Sequence, residues 1–293
     1  MWKVYFNLNK PSRLEANTEI NGVKAQVSRG SDQLVAEFVE ACDETDAHQK
    51  ALTVANRFLD VLCWRYDATL AIDLATQRME HISPTGQKRI SITASCVAGA
   101  SIASRVVKKD SSGNIVEVYD SSKPGKIDVK PSEAASHFRH AHLAKDPFNK
   151  FRDLYLAAEN VASKIQVAKK LSKNELKQLS ESGESYEEGL LKLALDECFG
   201  NETQPLKQSA KNLPDFDDAH EVIPQVAKIL FKGYRCQLNH SKASQDKKIP
   251  FNPEDEKKVK AVLPLMEFVA KSLLQYEENS LVIAEKIEKE KEG

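Results

Sequence analysis

Apolar and polar residues alternate in several short stretches of about the first 120 residues. At Val4, Phe6 and Leu8 every second side chain is apolar, a pattern typical of a strand with one buried face. Turn-forming clusters separate the stretches, and Asn21-Gly22 is a dipeptide that favours a tight hairpin. The pattern predicts strands within residues 4–8, 23–27, 34–39, 68–74, 90–107 and 115–119.

An amphipathic stretch interrupts these strands. From Thr45 to Tyr66, apolar residues recur at spacings of three and four, which predicts a helix whose apolar face packs on a sheet. A polar connection that contains both Pro and Gly follows at residues 120–126. Residues 1–130 are therefore predicted to form a mixed α+β domain. No motif assigns it a role, and sensing or partner binding is the hypothesis for it.

The pattern after this connection is almost wholly helical. Asp146, Ser185, Pro224 and Asn252 are residues that favour helix starts, and each precedes or opens a stretch with apolar residues at helical spacing. Four amphipathic helices joined by short loops predict an antiparallel four-helix bundle. The chain is thus predicted to be α+β, with the bundle in residues 131–293.

Composition restricts the classes of function. The 293 residues are 41% hydrophobic and 29% charged, which supports a folded core and excludes a disordered chain. Lys and Arg number 42 against 43 Asp and Glu, so nucleic-acid binding must depend on a local basic patch. No apolar run reaches the roughly 20 residues that span a bilayer, and five scattered cysteines fit a reducing compartment. The prediction is a cytoplasmic protein without a membrane partner.

Several familiar catalytic motifs are absent from the sequence. There is no phosphate-binding loop, no dinucleotide-binding G-x-G-x-x-G, no H-E-x-x-H and no G-x-S-x-G. The cluster His137, His140 and His142 has two interpretations, metal ligands or a helix surface, and no carboxylate or thiol lies at ligand spacing beside it. We therefore predict neither a metal nor a cofactor.

Arg235 and His240 are the strongest candidates for catalysis. A guanidinium is a permanent two-pronged ligand for phosphate, and an imidazole titrates near neutral pH, so the two suit phosphodiester chemistry. They lie where the predicted third helix ends. The lysines that surround them, against the single acid Asp246, are Lys232, Lys242, Lys247 and Lys248.

The same residues have a structural interpretation. Arg235 can form an ion pair with an acid such as Glu159 on the first helix of the bundle, and His240 can cap the end of the third helix. Spacing alone does not decide between this interpretation and catalysis.

The helical layout resembles the HEPN superfamily. The resemblance covers roughly residues 146–278 and depends on R-x-x-x-x-H, here Arg235 to His240, at the end of the third helix, with the polar pair Glu159-Asn160 on the first. The residue after the arginine is commonly Asn in the family and is Cys236 here. The chain also looks like proteins labelled MauJ-type methylamine-utilisation proteins, a label that implies no chemistry.

The resemblance implies a metal-independent endoribonuclease that acts as a homodimer on RNA. Arg235 would stabilise the phosphoryl charge, His240 would transfer protons, and Asn239 and Glu159 would orient the site, giving 2′,3′-cyclic phosphate ends. The four lysines, Lys232, Lys242, Lys247 and Lys248, would bind flanking phosphates. The resemblance also suggests a biological role as a toxin or a phage-defence effector. The alternative is a catalytically inactive module for dimerisation, RNA binding or partner docking.

Overall fold

The computed structural model describes residues 1–83, 85, 87–93, 106–109, 115–119, 125–126, 132–180, 183, 185–239 and 253–292. The chain divides into two compact units, Met1–Ser132 and Glu133–Gly293. Each unit has secondary structure of a different kind.

The first unit is built on a seven-stranded sheet. All neighbouring strands are antiparallel except the last pair, which is parallel. The strands, in chain order, are β1 (Trp2–Leu8), β2 (Ala16–Ile20), β3 (Val23–Val27), β4 (Gln33–Phe38), β5 (Ile72–Ile82), β6 (Lys88–Thr93), a separate hairpin of β7 (Val106–Lys109) and β8 (Ile115–Tyr119), and β9 (Gly125–Lys126). Their order across the sheet is β6-β5-β1-β4-β3-β2-β9.

One helix, α1 (Glu44–Tyr66), packs against β1, β3 and β4. It begins at Asp43, whose carboxylate accepts a hydrogen bond from the backbone N–H of Asp46, and it ends at Asp67 in the left-handed conformation. Its apolar face, with Phe58 fully buried, meets the inward side chains of the sheet, among them the fully buried Phe6. This layer is the core of the first unit.

The second unit is helical in all of its described elements. Its helices are α2 (Glu133–Leu143), α3 (Pro147–Lys169), α4 (Lys173–Leu179), α5 (Tyr186–Phe199), α6 (Gln204–Ala210), α7 (Val222–Lys228), α8 (Cys236–Asn239) and α9 (Pro253–Glu292). Helix α3 packs against α2, α5 and α9 and supplies much of the core.

Helix α7 continues without a break through a π-helical segment, Ile229–Arg235, into α8. We call this stretch, residues 222–239, the motif helix because it carries Arg235. A π-helical segment is rare and is frequently found at functional sites. The hydroxyl of Tyr234 donates a hydrogen bond of 3.3 Å to the backbone oxygen of Lys258, which ties the segment to α9.

The α+β class, with an N-terminal antiparallel sheet and a largely helical remainder, is confirmed. Asp146 and Ser185 cap α3 and α5 through the side-chain hydrogen bonds that the sequence predicts. The structure adds two strands, β2 and β9, and three short helices, α2, α4 and α6, to the predicted elements. No helix within the described part of the chain is long and apolar enough to cross a membrane.

Candidate functional site

Arg235 is held on the inner side of the second unit. It is the last residue of the π-helical segment, and 19% of its side chain is exposed. The segment places it against α3 and the first turn of α5. An arginine this far from water needs anionic partners to balance its charge.

Two carboxylates from different helices supply this balance. The Nη2 atom of Arg235 donates a hydrogen bond of 3.3 Å to Oε1 of Glu187 on α5 and lies 4.0 Å from Oε1 of Glu159 on α3. Both of these contacts are made by Nη2. A guanidinium carries five N–H donors, and the hydrogen bond to Glu187 engages one of them.

An aromatic ring supports the guanidinium from α3. The central carbon of the Arg235 guanidinium lies 5.8 Å from the ring centre of Tyr155, within the range of a cation–π interaction. Tyr155 is buried, and burial raises the pKa of its hydroxyl well above the ordinary value, so the ring stays neutral. Tyr155 and the two carboxylates together fix the orientation of Arg235.

Partial burial is the main influence on the pKa of Glu159. Desolvation raises the pKa of this carboxyl above its ordinary value, with Glu187 adding to the rise and Arg235 opposing it. The attraction between Arg235 and the Glu159 carboxylate therefore does not fully offset the free energy that the carboxylate loses when it is removed from water. Its ion pair is weak evidence for stability.

A pH-dependent difference in stability is expected for Glu159→Gln. A carboxyl whose pKa is raised by folding favours the folded state while protonated, and this contribution is lost as pH rises through the folded-state pKa. The amide of Gln does not ionise. The unfolding free energy of E159Q relative to the natural protein should therefore rise as pH increases above 4.5, the ordinary Glu value. Urea denaturation of both proteins between about pH 4 and pH 8 measures this, and a constant difference would contradict it.

A second ion pair joins the motif helix to α5. The Nζ atom of Lys232 lies 3.3 Å from Oε2 of Glu188, whose side chain is only 2% exposed. Adjacent residues of α5, Glu187 and Glu188, thus neutralise two cations that are three residues apart on the motif helix. With Glu159 included, three carboxylates face two cations here, so these residues alone do not form a basic patch.

The remaining predicted residues lie at or beyond the end of the motif helix. Asn239 is the last residue of α8. His240 and the three lysines of the following loop fall outside the described residues. The structure therefore places Lys232, Arg235 and Glu159 together in the second unit, and the expected positions of His240, Lys242, Lys247 and Lys248 stay predictions.

Two residues of the site were missed by the sequence analysis. Glu187 lies in the first turn of α5, which begins after the cap Ser185. Acidic residues are favoured at this position of any helix, so Glu187 did not indicate a partner of opposite charge. Tyr155 belonged to the apolar stripe of the first predicted bundle helix. Neither residue has a local signal for contact with Arg235, because the contact joins three separate helices.

The chemistry open to the described residues is limited. A recess beside Arg235 and Tyr155 has a volume of about 20 Å³, roughly enough for one water molecule. Burial raises the pKa of the Cys236 thiol, so this neighbour of Arg235 is protonated at neutral pH and is a poor nucleophile. A substrate must therefore approach Arg235 from outside this recess.

Within the described residues, the histidines of α2 are not grouped with further side chains that could bind a metal ion. His142 packs against the ring of Phe138, with ring centres 4.7 Å apart, and its Nε2 lies 3.4 Å from Oε1 of Glu267 on α9. Among the residues that the structure describes, no three His, Cys, Asp or Glu side chains are grouped as they are in metal sites. Helix packing accounts for the position of His142.

No protein-family model, curated protein or solved structure matches the chain. The resemblance to the HEPN superfamily therefore stays a prediction from the sequence.

Proposed function

We propose that the second unit is a metal-independent endoribonuclease of the HEPN type. The observation that supports this most is the π-helical segment that ends at Arg235, because such segments are rare and are frequently found at functional sites. The resemblance expects a polar residue of the first bundle helix to serve the arginine of the R-x-x-x-x-H motif. Glu159 on α3 is the candidate for this residue, and its 4.0 Å contact with Arg235 is equally expected of a structural ion pair.

In this mechanism the phosphate of RNA binds the guanidinium of Arg235. The ribose 2′-oxygen attacks the adjacent phosphorus, and the bond from phosphorus to the 5′-oxygen of the next nucleotide breaks. His240 takes the proton of the 2′-hydroxyl or returns one to the 5′-oxygen, and a homodimer would bring two copies of it to one cleft. Arg235 stabilises the charge that grows on the phosphoryl oxygens. The products are a 2′,3′-cyclic phosphate and a 5′-hydroxyl.

A cleavage assay tests the proposal directly. The purified full-length chain is incubated with single-stranded RNA in EDTA, and the ends of the fragments are analysed. Cleavage with 2′,3′-cyclic phosphate ends supports the proposal. Absence of cleavage, or a requirement for added magnesium, contradicts it.

Glu187→Gln is expected to strengthen RNA binding. Glu187 competes with phosphate for Arg235, while a Gln side chain keeps a hydrogen-bond acceptor for Nη2 without the negative charge. A partly exposed ion pair contributes up to about 1 kcal/mol, so the gain in affinity should be about fivefold. Fluorescence anisotropy with a labelled RNA measures it.

Glu44→Gln provides the matched control for this experiment. Glu44 is likewise an acid in the first turn of a helix, α1, and belongs to the other unit. Its replacement should leave RNA affinity as it is. Equal affinities for E187Q and the natural protein would show that Glu187 does not compete with phosphate.

The second candidate is a catalytically inactive module that binds RNA or a protein partner. The engagement of Arg235 by both Glu187 and Glu159 favours it, because an arginine paired in this way also serves as a structural link between helices. A protein that forms dimers or binds RNA but never cleaves it would support this candidate. The first unit would then provide the recognition of a partner.

A further inference from the structure

A cleft of about 820 Å³ lies within the second unit, beside the motif helix. Its walls come from the motif helix, from α5, from the end of α4 and from the connection between α6 and α7. A volume of this size is typical of a ligand site and exceeds the recess beside Arg235 by far. The charged residues that line it are Lys192, Lys228, Lys232, Asp215, Asp217 and Glu221.

The positive and negative side chains of the cleft belong to different elements of the second unit. All three lysines stand on helices: Lys192 on α5, and Lys228 and Lys232 on the motif helix. All three carboxylates belong to the connection 211–221. A ligand that carries anionic groups along one side and hydrogen-bond donors along the other matches this arrangement. A ribose–phosphate chain has this chemistry, because its phosphates suit lysines and its hydroxyls suit carboxylates.

The lysines of the motif helix form a series with Arg235. Lys228, Lys232 and Arg235 are separated by four and three residues along the motif helix. Because residues 229–235 are π-helical, the α-helical spacing rule does not put Arg235 on the side of the two lysines, and Arg235 lines the recess beside Tyr155. Lys228 and Lys232, by contrast, line the cleft.

Contacts with α5 connect the cleft to the candidate site. Glu188 pairs with Lys232 in the cleft, and its neighbour Glu187 pairs with Arg235. Lys232 and Arg235 thus contact the same turn of α5, Lys232 from the cleft and Arg235 from the recess beside Tyr155. Gly233, between these two cations, lines the cleft, and a side chain there would meet open space.

We propose that the cleft binds the ribose–phosphate backbone of single-stranded RNA on one side of the scissile phosphate. Lys192 and Lys228 bind phosphates, and the carboxylates of Asp215 and Glu221 accept hydrogen bonds from ribose hydroxyls. The identity of the ligand as RNA rests on the proposed function. Because three lysines are balanced by three acids, binding here depends on short-range contact and not on long-range attraction.

The test measures RNA affinity as a function of salt. Labelled single-stranded RNA is titrated with the full-length His240→Ala protein, alone and combined with Lys192→Ala, Lys228→Ala or both, and gels verify that the RNA stays intact. Each lysine variant should weaken binding by roughly threefold to tenfold and reduce the slope of log affinity against log salt by about 0.7. The double variant should reduce the slope by about 1.4. Lys145→Ala is the control, because Lys145 is exposed and does not line the cleft.

Three further outcomes separate the inferences. Single-stranded DNA of the same sequence should bind more weakly than RNA, because it lacks the 2′-hydroxyl groups. Equal binding of DNA and RNA would contradict the proposal that the carboxylates accept hydrogen bonds from ribose hydroxyls. Affinity and slope that do not change in the double variant would overturn the cleft proposal even if the natural protein cleaves RNA. Loss of affinity in the double variant of a protein that never cleaves RNA would support the cleft and refute the nuclease.

Discussion

Replacement of His240 by alanine is expected to slow RNA cleavage by roughly 10²–10⁴-fold, the usual contribution of general acid–base catalysis. The expected result is a folded protein that still binds RNA. Circular dichroism checks the fold, and single-turnover cleavage measures the rate.

Arg235→Ala should cause comparable loss, because it removes the group that stabilises charge on the phosphoryl oxygens. Arg235→Lys should restore little, since an ammonium cannot contact Glu187 and a phosphate with the geometry of a guanidinium. Arg235→Ala also leaves Glu159 and Glu187 without their cation, so its folding must be measured beside its activity. Cleavage that survives both His240→Ala and Arg235→Ala would falsify the assignment of the site.

Gly189→Ala is expected to destabilise the second unit by about 1–3 kcal/mol, the range for overpacking a filled core. Gly189 is buried on α5, and a Cβ atom there would overlap the backbone oxygen of Leu176 on α4. Backbone cannot rotate away as a long side chain can, so α4 and α5 must separate. Glu187 and Glu188 lie on the same turn, and their contacts with Arg235 and Lys232 should shift as well.

Urea denaturation of the full-length chain measures this effect, and Gly233→Ala is the matched control. Gly233 is also a helical glycine, but an added Cβ meets nothing within 4 Å. Because Ala favours helix over Gly by up to about 1 kcal/mol, G233A should be neutral or slightly more stable. Equal unfolding midpoints for G189A and G233A would show that α4 and α5 do not approach as closely as the structure indicates.

The elements that the sequence predicted well have strong local signals. Asp146 and Ser185 mark the starts of α3 and α5 because their side chains satisfy backbone N–H groups of the following turn, an interaction between residues three positions apart. The alternation at Val4, Phe6 and Leu8 marks β1 because successive strand side chains point to opposite faces.

The elements that the sequence analysis missed have weak local signals. Helices α4 and α6 have seven residues each, about two turns, too few for a clear apolar period. In β2, Ala16–Ile20, the inward residues include Thr18, so the apolar alternation is incomplete. The π-helical geometry of Ile229–Arg235 also has no pattern of its own in the sequence.

By itself, the sequence determined the α+β class and the starts of α3 and α5, and it indicated Arg235 as a candidate, since each depends on residues close together in the chain. The sequence offered Glu159 as one possible partner of Arg235, and only the tertiary structure decided that Glu159 and Glu187 are the acids that meet it. Glu187 is 48 residues away in the chain and Glu159 still farther, and many acids were equally eligible by sequence. The selection depends on how α3, α5 and the motif helix pack, because a carboxylate reaches a guanidinium only when the packing brings their helix faces together.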